Sequence, residues 1–288
     1  MTSTAQLQVE SPEGFRISPQ QRRVWEVSER YPQVPFAAQC HVRIIGPMNV
    51  ERLDKAIHSL RRTHEILRTR FVLLPGTRVP VQVIGENVTG LDRKLDLQYQ
   101  SSAAVELELE RIAETLWKQA GTARADAGVN FTLAQVSSEG YVLLVTSSGL
   151  CADVTGLSAI VSELRDAYFG SSLAQGESLQ FADISEWQNQ ILEGEAKEHS
   201  SYWKSPEFSA VRFPHLPFEC RNVEPANFNP AVLVRDFSTY NALLPALASR
   251  LGDSTEAVLL AIYQILISRL SSLEQFLLGV RVDGRTPA

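Results

Sequence analysis

Ser147-Ser148-Gly149-Leu150-Cys151-Ala152-Asp153 gathers two hydroxyls, a thiol and a carboxylate directly after the apolar run Tyr141–Thr146. Side chains of these types perform acyl transfer when a base within hydrogen-bond reach takes the nucleophile's proton. No histidine lies near them in the sequence, and His41 and His64 approach only through the fold. On residue chemistry alone, Cys151 reads better as a small residue packing a strand-to-helix turn than as a nucleophile. Asp153 reads as the cap of the following helix, where its carboxylate accepts orphan N–H groups and is favoured by the helix dipole. His64 reads as a satisfied core histidine, and Trp25, Trp187 and Trp203 as core or interface aromatics. Cys40, Cys151 and Cys220 form no CxxC and no metal-ligand spacing with the histidines, so they read as reduced thiols of a cytoplasmic protein with no bound metal.

The elements that must position these groups alternate between strands and helices. Residues 1–16 are polar and read as a flexible leader. Ser18-Pro19 supplies an N-cap and a proline in the first helical turn, opening a helix to about Arg30. Phe36, Ala38, Cys40, Val42 and Ile44 alternate as in a strand, and Asn49 caps a helix carrying Val50, Leu53, Ile57 and Leu60. Strands at Leu67–Leu74 and Val79–Ile84 flank Pro75-Gly76, and a helix spans Ala103–Gln119. Val129–Val136 and Tyr141–Thr146 form a hairpin whose second strand, apolar on both faces, is central. A helix marked by Leu157, Ile160, Val161 and Leu164 follows, and Gly170–Gly176 is the expected boundary between two units. Beyond it the pattern predicts helices at Ala182–Leu192 and Glu195–Trp203, a strand at Val232–Phe237, and a helix at Leu243–Arg250. It also predicts a helix at Thr255–Leu270, whose Ala257–Ile267 stretch is either buried or an exposed patch left by truncation, and a strand at Gln275–Val282.

The 288 residues carry 27 Lys+Arg against 33 Asp+Glu, a net charge of −6 that gives no basic footprint for nucleic acid or anionic lipid. No apolar run approaches the roughly 20 residues of a membrane helix. Hydrophobic residues at 44% place the chain among folded globular proteins.

Four local patterns are more specific than periodicity. Ser18-Pro19-Gln20-Gln21-Arg22-Arg23-Val24-Trp25 resembles the opening motif of nonribosomal peptide synthetase condensation domains, Ser-x-x-Gln-x-Arg-x-Trp. Arg62-Thr63-His64-Glu65-Ile66-Leu67-Arg68-Thr69-Arg70-Phe71 is similar to that family's second motif, Arg-His-Glu-x-Leu-Arg-Thr-x-Phe, with Thr63 as the departure. Phe181-Ala182-Asp183-Ile184-Ser185-Glu186-Trp187 and Gly279-Val280-Arg281-Val282-Asp283-Gly284-Arg285 resemble two later motifs, in the family's order. The resemblance implies an α/β (α+β) chloramphenicol-acetyltransferase-like fold, with residues 17–170 as the first subdomain and 177–288 as part of a second. It further implies a tunnel between two such subdomains, into which partner carrier proteins present thioesters on phosphopantetheine arms, and the remaining part of the condensation domain or synthetase as a further partner. The chain itself would bind no cofactor.

The family's signature His-His-x-x-x-Asp-Gly aligns on Ser148, Gly149 and Asp153. Gly149 then stands where the resemblance places the histidine that positions the amine or moves its proton, a task glycine lacks the side chain to perform. The heterocycle-forming variant has Asp at the first position, where this chain has Ser148. The resemblance also implies a structural ion pair between Asp153 and Arg285, and structural roles for Arg62 and Arg68. The leading expectation is a carrier-docking condensation-like domain without ordinary amide formation. The alternative is an active acyltransferase with a non-standard site, for which Cys151 is the weak candidate nucleophile.

Overall fold

The structure is a computed structural model that describes residues 14–99, 101–122, 128–171, 179–205, 214–219, 233, 235–236 and 238–280. The chain divides into two compact units, Met1–Gly194 and Glu195–Ala288.

The first unit is built on a four-stranded sheet: β2 (Ala37–Ile45), β7 (Gly140–Ser148), β6 (Val129–Ser137) and β5 (Arg93–Asp96), in that spatial order. The first three pair antiparallel, and β5 runs parallel to β6. The run Val142–Val145 explains the two-sided core. Leu143 and Val145 face α2 (Val50–Thr63) and α4 (Val154–Phe169), packing with Ile57, Leu60, Phe131, Leu157 and Leu164. Val142 and Leu144 face α3 (Ser102–Ala120), packing with Val105, Leu109 and Ile112. Alternation along a pleated strand sends successive side chains to opposite layers, so a strand apolar at every position is covered on both faces.

A second, three-stranded sheet orders β1 (Phe15–Arg16), β4 (Val81–Ile84) and β3 (Thr69–Val72). The expected leader therefore ends early: Phe15 and Arg16 pair with Gln82 and Val81. Helix α1 (Pro19–Arg30) opens with a capping box, in which Ser18 Oγ accepts from Gln21 N and Gln21 Oε1 accepts from Ser18 N.

The residues expected as two helices form one, α5 (Phe181–Trp203), which runs through Gly194. A glycine inside a helix costs only about 1 kcal/mol relative to alanine. The early turns of α5 are tied to the first unit by Arg16, which pairs with Glu186 at 2.6 Å and Glu193 at 2.5 Å, and by Asn189 Nδ2, which donates to Ile17 O. The compact division consequently falls after Gly194 and not within Gly170–Gly176. Gly170 does end α4, adopting the left-handed conformation at φ 99° that favours glycine. Strand β5 went unread because its sequence, Arg-Lys-Leu-Asp, is polar and lies at the sheet edge.

In the second unit, α6 (Leu243–Leu251) and α7 (Thr255–Ser271) form a hairpin, with Ser254 Oγ capping α7. Helix α7 buries Val258 and Ile267 but exposes most of its large apolar side chains, the exposed-patch arm of the expectation. Residues 276–280 are not a strand, and half of the expected strand at Val232–Phe237 falls outside the described residues, the described 233, 235 and 236 not being strand. No single described helix is long and apolar enough to cross a membrane.

Leu157 is 1% exposed at the point where α4 meets the sheet. Leu157→Ala is expected to cost about 2–5 kcal/mol, because the cavity it leaves closes only in part. A denaturant midpoint shift at unchanged slope checks this, and a loss below about 1 kcal/mol contradicts the packing described.

Candidate functional site

The site predicted from sequence is the junction where β7 runs into α4. Strand β7 stays paired to its last residue, with Ser147 opposite Ala38 and Ser148 opposite Ala37. Ser148 O then accepts from Cys151 N at 2.9 Å and Ala152 N at 3.2 Å, closing a tight turn. At Asp153 the side chain accepts from Gly156 N at 2.8 Å and caps α4. Arg285, its expected partner, lies outside the described residues.

Gly149 occupies the tightest point of the turn. Its N–H donates to Phe36 O at 2.8 Å, stitching the junction to the residue before β2. A Cβ built on Gly149 would stand 2.9 Å from that same carbonyl oxygen. The backbone of Gly149 is not left-handed, so the demand for glycine comes from close approach and not from φ.

The hydroxyls at the junction are turned to the backbone. Ser147 Oγ donates to Ser148 O at 3.0 Å, and Ser148 Oγ accepts from Leu150 N at 3.3 Å. Both serines are buried. Desolvation pushes the Cys151 thiol up to about 12, so at neutral pH it is protonated and a poor nucleophile. Burial also raises the Cys40 thiol. The two histidines that could approach through the fold hold other partners. His64 Nε2 lies 2.6 Å from Glu163 Oε2, and His41 Nε2 lies 3.1 Å from Gln39 Oε1. Desolvation and the neighbouring Arg43 lower the His41 pKa, against an opposing pull from Glu106. Among the described residues no group of three or more His, Cys, Asp or Glu is placed to hold a metal ion.

What sequence reasoning missed is the scaffold behind the turn. Gln21 Nε2 donates to Leu150 O at 2.9 Å and to Gln82 Oε1 at 3.3 Å. Gln82 Nε2 in turn donates to Arg16 O at 2.8 Å and Ser185 Oγ at 3.2 Å. Both glutamines and Ser185 are buried. Gln21 was visible as part of the opening motif, whereas Gln82 carried no sequence signal.

The arginine expectation needs one correction. The Arg62 side chain is exposed and makes no hydrogen bond or ion pair among the described residues; the buried arginine is its neighbour Arg61. At about 100° per residue, position 61 follows Leu53, Ile57 and Leu60 toward the core while 62 turns to solvent. Arg61 Nη2 pairs with Asp92 Oδ2 at 2.5 Å and donates to Val129 O at 2.8 Å, and its guanidinium lies over the Phe131 ring. Arg68 Nη1 donates to Gly85 O at 2.6 Å, and its Nε donates to Arg61 O at 3.3 Å. Trp25 is buried, whereas Trp187 and Trp203 are exposed.

A family model described as the condensation domain matches residues 13–288. Gramicidin S synthase 2 of Aneurinibacillus migulanus is 28% identical over 249 residues, covering 85% of this chain and 5% of that protein. Tyrocidine synthase 3 of Brevibacillus parabrevis is 25% identical over 292 residues, covering 100% and 4%. The chain thus spans about a twentieth of the length of these curated relatives. The X-domain from teicoplanin biosynthesis aligns at a TM-score of 0.68 and 22% identity, over 91% of this chain and 58% of that one. The same X-domain in complex with OxyB aligns at 0.67 and 21%, over 94% and 60%. The condensation domain of Monacolin K polyketide synthase MokA aligns at 0.68 and 18%, over 90% and 60%. These likenesses give the fold as chloramphenicol-acetyltransferase-like.

Gly149→Ala is expected to destabilise by about 1–3 kcal/mol, because the added methyl meets a backbone oxygen that has no rotamer to move aside. Gly194→Ala, at a helical glycine with open space, is expected to be neutral or stabilising. Equal melting temperatures for the two variants would contradict the close approach at Gly149.

Proposed function

The chain belongs to the condensation-domain family, and from that premise we propose that it is a condensation-like unit of nonribosomal peptide or hybrid polyketide biosynthesis that docks carrier proteins without histidine-assisted amide formation. The partner carriers bring their substrates on phosphopantetheine arms, and this chain contributes no cofactor of its own. Forming an amide from a thioester requires attack by an amine nitrogen, loss of a proton from that nitrogen and departure of the thiol. A positioned base typically supplies about 10²–10⁴-fold of such a reaction.

The observation that carries the reading is Gly149. Where the family motif has its second histidine, this chain has a backbone N–H bonded to Phe36 O and no room for a Cβ. Neither serine hydroxyl nor the Cys151 thiol substitutes for it: the serines are engaged by backbone and the thiol is protonated. The X-domain solved in complex with OxyB supports the docking side of the proposal, as a condensation-fold unit found bound to another protein.

Two measurements test it together. A thioester-loaded donor carrier and an aminoacyl acceptor carrier, incubated with the full protein, should yield no amide above the protein-free background. Titration of either carrier should nonetheless give saturable binding. Amide formation by the unmutated protein that disappears in Ser148→Ala or Cys151→Ala would overturn the non-catalytic reading, and absence of carrier binding would overturn the docking reading. Gly149→His should not gain activity, since its Cβ meets the same carbonyl oxygen.

A further inference from the structure

The first unit carries a surface cavity of about 300 Å³, lined by the start of β3, the loop from β4 to β5 and the start of β6. Three arginines share its wall, Arg61, Arg68 and Arg70, in a chain whose net charge is −6. Two of them are fixed by backbone oxygens. Arg61 Nη1 donates to Gly90 O at 3.0 Å and its Nη2 to Val129 O at 2.8 Å, while Arg68 Nη1 donates to Gly85 O at 2.6 Å. Asp92 pairs with Arg61 and also accepts from Phe131 N, and Glu65 lies 3.4 Å from Arg68. Arg70 is different. Its side chain is exposed and makes no hydrogen bond or ion pair among the described residues. Other donors on the same wall are uncommitted as well. The Asn87 side-chain amide and the backbone N–H groups of Glu86 and Asn87 donate to no acceptor among the described residues, and Arg61 Nε is buried without a partner.

We propose that this cavity binds a phosphate-class oxyanion, as the free ion or as a small ester, with Arg70 and the Asn87 amide as its direct donors. Arg61 and Arg68 supply a fixed positive wall behind them. Guanidinium and N–H groups are donors only, and hydrogen bonds from a guanidinium to an oxyanion are among the strong ones. The planar fork of Arg70 suits bidentate contact with two oxygens of one phosphate. A cationic ligand would find one uncommitted carboxylate, Glu86, which forms no ion pair with any of the three arginines. That carboxylate and the volume, at the small end of ligand pockets, disfavour a polyanion and select a small ligand. The proposal is independent of whether the junction at Gly149 is catalytic.

The test follows backbone amide NMR shifts of the full chain as inorganic phosphate, and separately methyl phosphate, is added at constant ionic strength with chloride as the balancing ion. The expected result is saturable movement of the Arg70, Glu86 and Asn87 amides. Affinity should fall about 10–100-fold in Arg70→Ala, the loss of one charge-assisted contact, and stay unchanged in Arg22→Ala, which removes an exposed arginine of α1. Arg70→Ala removes an exposed side chain, so its melting temperature should match that of the unmutated protein. Saturation by both probes assigns a site open to esters, and saturation by inorganic phosphate alone assigns a site for the free ion; either supports the proposal. No saturable shift, shifts that chloride alone reproduces, or equal affinity in Arg70→Ala would overturn it.

Discussion

Two buried glutamine side chains join the pieces on which the junction depends. The Gln21 carboxamide closes its own helix cap through Ser18, holds Leu150 O in the turn after β7, and meets Gln82 on β4. Gln82 passes the contact on to the backbone of β1 and to Ser185 on α5. Each amide is spent on partners that would otherwise be unsatisfied in the interior, where an unpaired polar group costs about 1–3 kcal/mol. A fully satisfied buried network of this kind specifies one arrangement, because any slip strands several groups at once. Helix α1, both sheets, the junction turn and the start of α5 are thereby held in register by side chains that do no chemistry.

That scaffold explains how the junction keeps its shape. The turn is fixed from one side by Gln21 and from the other by Phe36 O, which Gly149 approaches too closely for any larger residue. Glycine at 149 is therefore part of how this turn packs. The Asp153 cap and the buried Ser147 and Ser148 belong to the same closed surface.

Much of the first unit was legible because its signals are local. Ser18-Pro19 and Asn49 mark helix starts through side chains that bond N–H groups three residues on, and Tyr141–Thr146 announces a central strand by being apolar at every position. Three features were not legible, each because it is decided by distant contacts. Arg61 and Arg62 are adjacent and chemically identical, and only the helix phase against Asp92 separates the buried one from the exposed one. Strand β5 is polar and exists because β6 offers it a backbone edge. Helix α5 is anchored on the N-terminal side of Gly194 by Arg16, assigned from sequence to a loose leader, and by Ile17 O. At the site, Gly149 stood out in the sequence, but the reason a side chain does not fit there lies in Phe36, more than a hundred residues earlier in the chain.

The central claim is that the β7–α4 junction is a closed, hydrogen-bonded turn and not an open active-site mouth. Native-state hydrogen exchange at the Gly149 amide tests it most directly, since exchange of a bonded amide requires the structure around it to open. The account predicts that Gly149 N–H, held by Phe36 O, exchanges as slowly as the paired amides of β6 and β7 and accelerates in Gln21→Ala. Exchange at the rate of an exposed loop amide, unchanged by that substitution, would contradict it.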